Sequence, residues 1–276
     1  MNRSFVRPNP LPWFGPAFGL TLAWVALIVL IPLAALALRP WSLGFAGVLA
    51  SLESPRVVAA LKLSFGASLA AAAINVPLGL LMAWVLVRGR FPGRQLADAL
   101  IDLPFALPTA VAGIALTTLY APNGWIGGLV APFGVELAYA MPGIMVALVF
   151  AGLPYVVRTL QPVLMDLPPE VEEVAATLGA CQLQILARVV LPAILPALLT
   201  GFAMAFARAV GEYGSVIFIA GNMPGLTEIA PLLIVIRLEQ FDYAGAAVLA
   251  MAMLLLSFTM LGAVNLLQQH LARRSG

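Results

Sequence analysis

Arg208 and Glu212 are ionisable side chains in a stretch that is otherwise almost wholly apolar, Ala207 to Val216. Four residues apart, they share one face of a helix. Charged groups at membrane depth are costly and turn toward a bundle interior or a pathway. Three chemistries fit: a gate-side pair that breaks or is shielded as a pathway opens, an ion pair that only holds structure, and an anion site on Arg208. Glu212 weakens the third, because its carboxylate repels an anion; the spacing does not separate the first two. Asp98 and Asp102 repeat the interval, and Arg94 stands four before Asp98, which predicts an ion pair on one helix surface. Glu239 and Asp242 are read either as a face for a soluble partner or as a solvated rim.

The residues that are missing exclude more. Lys62 is the sole lysine and is followed by Leu63, so the Gly-Lys-Ser/Thr of a phosphate-binding loop does not occur. His270 is the sole histidine and is read as a tail residue; no His pair holds a metal and no Ser-His pair is suggested. Cys181 is the sole cysteine, so no internal disulfide forms, and it is read as a small packing residue. A self-contained ATPase, a metalloprotease and a serine hydrolase are all disfavoured. The chain is not expected to be an enzyme or to bind a metal or cofactor. A formal charge of +2 does not suggest nucleic acid.

The elements that position these residues are membrane helices. The 276 residues are 62% hydrophobic and 9% charged, against about 25% charged in soluble domains, and the mean hydropathy is +1.03. Windows without charge, long enough for the roughly 20 residues of a membrane crossing, occur at 16–38, 63–87, 103–135, 137–157, 189–207 and 243–269. Six spans are expected. The windows lack the alternation of a barrel strand. The first is too long for a cleaved signal, and no clear small-residue site follows Pro32. Pro77, Pro104, Pro108 and Gly113 sit inside windows, where neighbouring helices satisfy the freed backbone groups; kinks or packing are their first reading. Pro122-Asn123-Gly124 is a turn. Trp125 to Val135 either lies in the interface or re-enters the bundle.

Basic residues favour the cytoplasmic side of short loops. Arg3, Arg7, Arg88, Arg90, Arg94, Arg158, Arg188, Arg273 and Arg274, nine of fourteen, fall on one side of a six-span chain together with both termini. The expected organisation is a cytoplasmic tail at 1–12, a membrane domain at 13–270 with a cytoplasmic loop at 159–188, and a cytoplasmic tail at 271–276.

Within that loop, Asp166-Leu167-Pro168-Pro169-Glu170 reads as a helix start, with Asp166 as cap and Pro in the first turn. Glu170, Glu172 and Glu173 place negative charge where the helix dipole favours it. Val171, Val174, Ala175 and Leu178 recur at helical spacing as a narrow apolar face. Gly179 permits a sharp turn. Spacing alone fits a helix on the bilayer, a helix on its own bundle, or a helix docked to a partner.

The stretch Glu173-Val174-Ala175-Ala176-Thr177-Leu178-Gly179-Ala180, with Leu191-Pro192 beyond it, resembles the EAA loop of permeases from type I (MetI-like) ABC importers. It departs by Val174 for the first Ala and Val189 for the usual Ile. The resemblance implies an all-α, six-span permease whose cytoplasmic helix docks an ATPase through Glu173, Ala175, Ala176, Leu178, Gly179, Ala180, Leu191 and Pro192. Further stretches narrow it: Ser64–Ser68, Asp102–Gly113, Tyr120–Gly127, Ala207–Val216, Phe218–Asn222 and Leu238–Ala246. They resemble the T-type permease family of sulfate/thiosulfate importers, over nearly the whole chain. That implies a W-type sister permease, two ATPase subunits holding ATP and Mg, a periplasmic sulfate/thiosulfate-binding protein, surrounding lipid, and a place in the bacterial inner membrane. Arg208, Glu212, Pro104 and Pro108 are then candidates for the gate or pathway. Molybdate/tungstate permeases share the Pro-rich third span and the Arg-to-Glu segment. A partnerless channel or carrier would need no such loop.

Overall fold

The computed structural model describes residues 14–275, and every regular element among them is helical. The tail expected at 1–12, with Arg3 and Arg7, lies outside the described residues. In chain order the helices of eight residues or more are α1 (Phe14–Glu53), α2 (Pro55–Arg88), α3 (Arg94–Ile101), α4 (Thr109–Tyr120), α5 (Met141–Asp166), α6 (Pro169–Thr177), α7 (Gln182–Val210), α8 (Ala230–Glu239) and α9 (Tyr243–Ser275). Helix α9 runs on through the positions assigned to a C-terminal tail. Five of the nine, α1, α2, α5, α7 and α9, are long and apolar enough to cross a membrane.

The window at 103–135 is not one helix. A single turn at Leu103–Ala106 ends at Leu107, whose φ of −83° and ψ of 133° are extended. Pro108 forces this, since its ring clashes with a helical residue before it. Pro108 then leads α4, which has only twelve residues. After the expected turn at Pro122–Gly124, residues 125–135 form short turns that fold back: the Ala138 amide donates to Tyr120 O at 3.3 Å and the Tyr139 amide to Ile219 O at 2.6 Å. Trp125, Leu129 and Phe133 point away from the protein.

Prolines also widen helices without ending them. A π turn at Ala26–Leu30 precedes Pro32, and another at Leu186–Val190 precedes Pro192. Proline lacks the amide that the carbonyl four residues back requires and crowds that carbonyl, so the turn loosens.

The core is the crossing of α2, α5 and α7. An ideal Cβ on Gly79 of α2 would lie 2.6 Å from Val156 Cγ1 of α5, one on Gly152 of α5 2.5 Å from Asn75 Nδ2, and one on Gly201 of α7 3.1 Å from Val156 Cα. Small residues let the backbones approach, and Leu160, Leu164, Ile194 and Phe206 fill the space around them. The most apolar stretch of α1, by contrast, has no buried residue.

Gly79→Leu should therefore lower the midpoint of thermal unfolding, by overpacking worth about 1–3 kcal/mol. Gly66→Leu, one helix face away with no atom within 4 Å of the added Cβ, should leave it unchanged.

Candidate functional site

The loop between α5 and α7 holds the EAA-like residues. Asp166 is the last residue of α5 and does not cap α6; the N-cap is Pro168 and Pro169 is the first helical residue. Pro169 brings no free amide to the first turn, and the Val171 amide donates to Pro168 O at 3.2 Å instead of to a side-chain cap. At the other end the Gly179 amide donates to Ala176 O at 2.9 Å and the Ala180 amide to Ala175 O at 3.1 Å, with Gly179 at φ +88°. These two bonds make a Schellman motif. Ala175 and Ala180 turn inward onto the core. The apolar face of α6 turns outward: Leu178 is 83% exposed, Val174 57%, and Val171 is exposed as well. Of the four apolar positions only Ala175 meets the bundle, so the helix does not bury its apolar face against its own protein. Glu173 and Ala176 line a cavity of about 730 Å³ between α6 and the lower part of α2, opposite Leu80, Leu81 and Trp84. Cys181 is exposed rather than packed; its amide donates to Gln184 Oε1 at 2.9 Å, at the start of α7. Leu191 packs on the core, and Pro192 follows the π turn.

Arg208 and Glu212 do pair. Glu212 is 2% exposed, and its Oε1 also accepts from the Ser215 amide at 2.9 Å and hydroxyl at 2.6 Å. It thereby pins the loop after α7. That loop presses on the start of α4 at glycines: a Cβ on Gly113 would meet Ser215 O at 2.6 Å, and one on Gly214 would meet Thr109 Oγ1. The pair and the Pro108 break thus belong to one assembly. Pro104 stands earlier, on the Leu103–Ala106 turn.

Asp98 and Asp102 are held differently from the expectation. Neither is bridged by Arg94. Both are gathered by Arg158, on α5: its Nε and Nη2 donate to Asp102 Oδ1 and Oδ2 at 2.8 and 2.6 Å, and its Nη1 to Asp98 Oδ1 at 2.7 Å. Gln161 joins, its Nε2 donating to Asp98 Oδ1 at 2.9 Å. The Gln161 amide, then Arg158 and the more distant charge of Arg94, hold the Asp98 carboxyl below the usual carboxylate range, with burial opposing them. A bidentate fork beats a flexible i,i+4 contact. At the opposite end of the bundle Arg56 makes the same kind of fork with Glu228, at 2.8 and 2.6 Å, and Glu228 is 1% exposed on its side chain. Arg88 donates to Glu172 Oε1 at 2.8 Å and to Leu167 O at 2.9 Å. Asp242 caps α9, accepting from the Gly245 amide at 2.9 Å. Sequence reading missed the roles of Arg158, Arg56, Arg88 and Glu228, whose partners lie 56 to 172 residues away; a lone arginine at the edge of an apolar window is the only local sign.

Residues 75–274 match the family model described as a binding-protein-dependent transport system inner membrane component. The chain is 49% identical to the sulfate transport system permease protein CysT of Synechococcus elongatus, covering 99% of this chain and 97% of that one. It is 47% identical to the protein of the same description from Escherichia coli, covering 96% and 95%. Among solved structures, a chain of a bacterial ABC transporter involved in the import of the acidic polysaccharide alginate superposes with a TM-score of 0.74 at 17% identity, over 95% of this chain and 96% of that one.

The Arg158 cluster makes a pH prediction. A folded Asp98 that titrates low contributes stability that is complete above the unfolded carboxylate pKa of about 3.9 and is lost as pH falls through the depressed value. D98N should melt below the wild type at neutral pH, and the gap should close as pH drops below about 4. A gap constant across that range would show that charge on Asp98 is not what Arg158 holds.

Proposed function

The chain belongs to the family of binding-protein-dependent transport system inner membrane components, and we propose how it works as the transmembrane permease of an ABC sulfate importer. The observation that carries the assignment is likeness over nearly the full length to sulfate permeases, on a fold shared with ABC transporter chains. Thiosulfate is a second cargo of the same charge and shape.

In this reading α6 is the coupling helix. Its outward apolar face, Val171, Val174 and Leu178, and the turn at Gly179 enter a groove on an ATPase subunit. Glu173 and Ala176 border the contact, and Ala175, Ala180, Leu191 and Pro192 anchor the helix to its own bundle. ATP and Mg stay on the ATPase, so this chain has no catalytic step of its own. A W-type sister permease completes the pathway, and a periplasmic binding protein delivers the anion at the end carrying Glu228. The broken segment around Pro104 and Pro108 serves as the sixth crossing. Both termini and the loop at 159–188 then lie in the cytoplasm, as the arginine distribution favours.

Closure of the ATPases moves α6, and the attached helices rock between inward-open and outward-open arrangements. ATP drives this only through contacts that differ between the two states. Arg208 and Glu212 sit where the end of α7 meets the start of α4, and that meeting is the gate in this scheme. Glu212 already satisfies Ser215 and Arg208 together, so an anion has little left to bind there.

A host lacking this chain should lose labelled sulfate uptake and keep molybdate uptake; the reverse would move the cargo. The wild-type chain should restore uptake, and Gly179→Val should reach the membrane without ATPase and without uptake. Arg208→Ala should assemble with its partners yet transport nothing, whereas disappearance of the protein from the membrane would make the pair structural.

A further inference from the structure

We propose that α2 carries the stroke of the coupling helix across the membrane, with Arg88 as the positioning residue that receives it; this rests on α6 being the ATPase-docking helix. Helices α5 and α7 lead directly into the α6 loop. Helix α2 does not: 84 residues separate Arg88 from Glu172. Their tie is the Arg88 guanidinium, which holds Glu172 Oε1 at 2.8 Å and the carbonyl of Leu167 at 2.9 Å. One side chain thus grips both α6 and the link that precedes it, so α6 cannot shift without loading the end of α2.

The other end of α2 is gripped as firmly. Arg56 forks onto the buried Glu228, and Ser64 Oγ accepts from the Ala230 amide at 2.7 Å. Glu228 lies on the loop leading into α8, and Ala230 is the first residue of that helix. At 1.5 Å per residue, the 34 residues of α2 reach about 50 Å, and the two arginine ties stand at its extremes. A rod fixed at both ends transmits if it has two arrangements, and the middle of α2 holds a sign of a second one. Asn75 is 1% exposed, and neither its Nδ2 nor its Oδ1 has a hydrogen-bond partner. Buried amides are almost always paired. This one stands two residues before Pro77, pressed against Gly152, at the point where α2 is free of an internal donor and can bend. In the scheme proposed, Asn75 finds its partners in the other arrangement of the crossing.

The test uses the whole complex, with ATPase, sister permease and binding protein, in liposomes, and reads sulfate moved per ATP hydrolysed. R88Q should keep its ATPase subunits and hydrolyse ATP within about twofold of the wild type, while uptake per ATP falls at least tenfold. E172Q, which breaks the same tie from the α6 side, should behave alike, and the charge swap R88E with E172R should restore much of the ratio. A wild-type ratio in both R88Q and E172Q overturns the proposal. So does loss of the ATPase from both, which would make the pair a docking contact. A wild-type complex that retains no ATPase would instead overturn the reading of α6 itself.

Discussion

Val156 sits between two glycines, Gly79 of α2 and Gly201 of α7, and the rest of the structure hangs on that crossing. Lipid offers little hydrophobic reason for helices to associate, so close packing must do the holding. Three backbones meet around one β-branched side chain. A methyl group on Gly79 has no room, and one on Gly201 has little. Because the crossing is tight, the ends of α2, α5 and α7 are placed to within the reach of an arginine, and the ties at both ends follow from it.

Those ties explain which part of the site was legible in the chain alone. Arg208 and Glu212 are four residues apart, and helical spacing was enough to pair them. The same rule misassigned Asp98, because it finds only partners on one helix. Arg158 lies 60 residues away and wins by geometry, taking two carboxylates and the Gln161 amide oxygen on one guanidinium. No local pattern reports such a meeting. Glu228 shows this most sharply: a single acid in a polar turn, with nothing nearby to mark it as the buried partner of Arg56.

For the fold, apolar windows located α1, α2, α5, α7 and α9, since length and hydropathy decide a crossing. They could not resolve the segment at 103–135, where composition is uniform and backbone geometry is not. Pro108 was visible, but its effect, a break rather than a kink, depends on whether another element takes up the freed groups. Here the chain breaks at the extended Leu107, and the loop after α7 packs Gly214 and Ser215 against α4. The α6 helix was legible in periodicity and in its Gly179 stop. Which way its apolar face points was not, because amphipathicity gives a face without a direction.

Gly179 offers a last consequence. Nothing stands within 4 Å of where its side chain would be, so bulk is not what forbids substitution. Its φ of +88° is. The position discriminates by chirality: an alanine is already penalised there and a β-branched valine more so, while a D-alanine would fit without strain. The turn that ends α6 is thus specified by the handedness of one α-carbon, and even the smallest L side chain meets that constraint before it meets any neighbour.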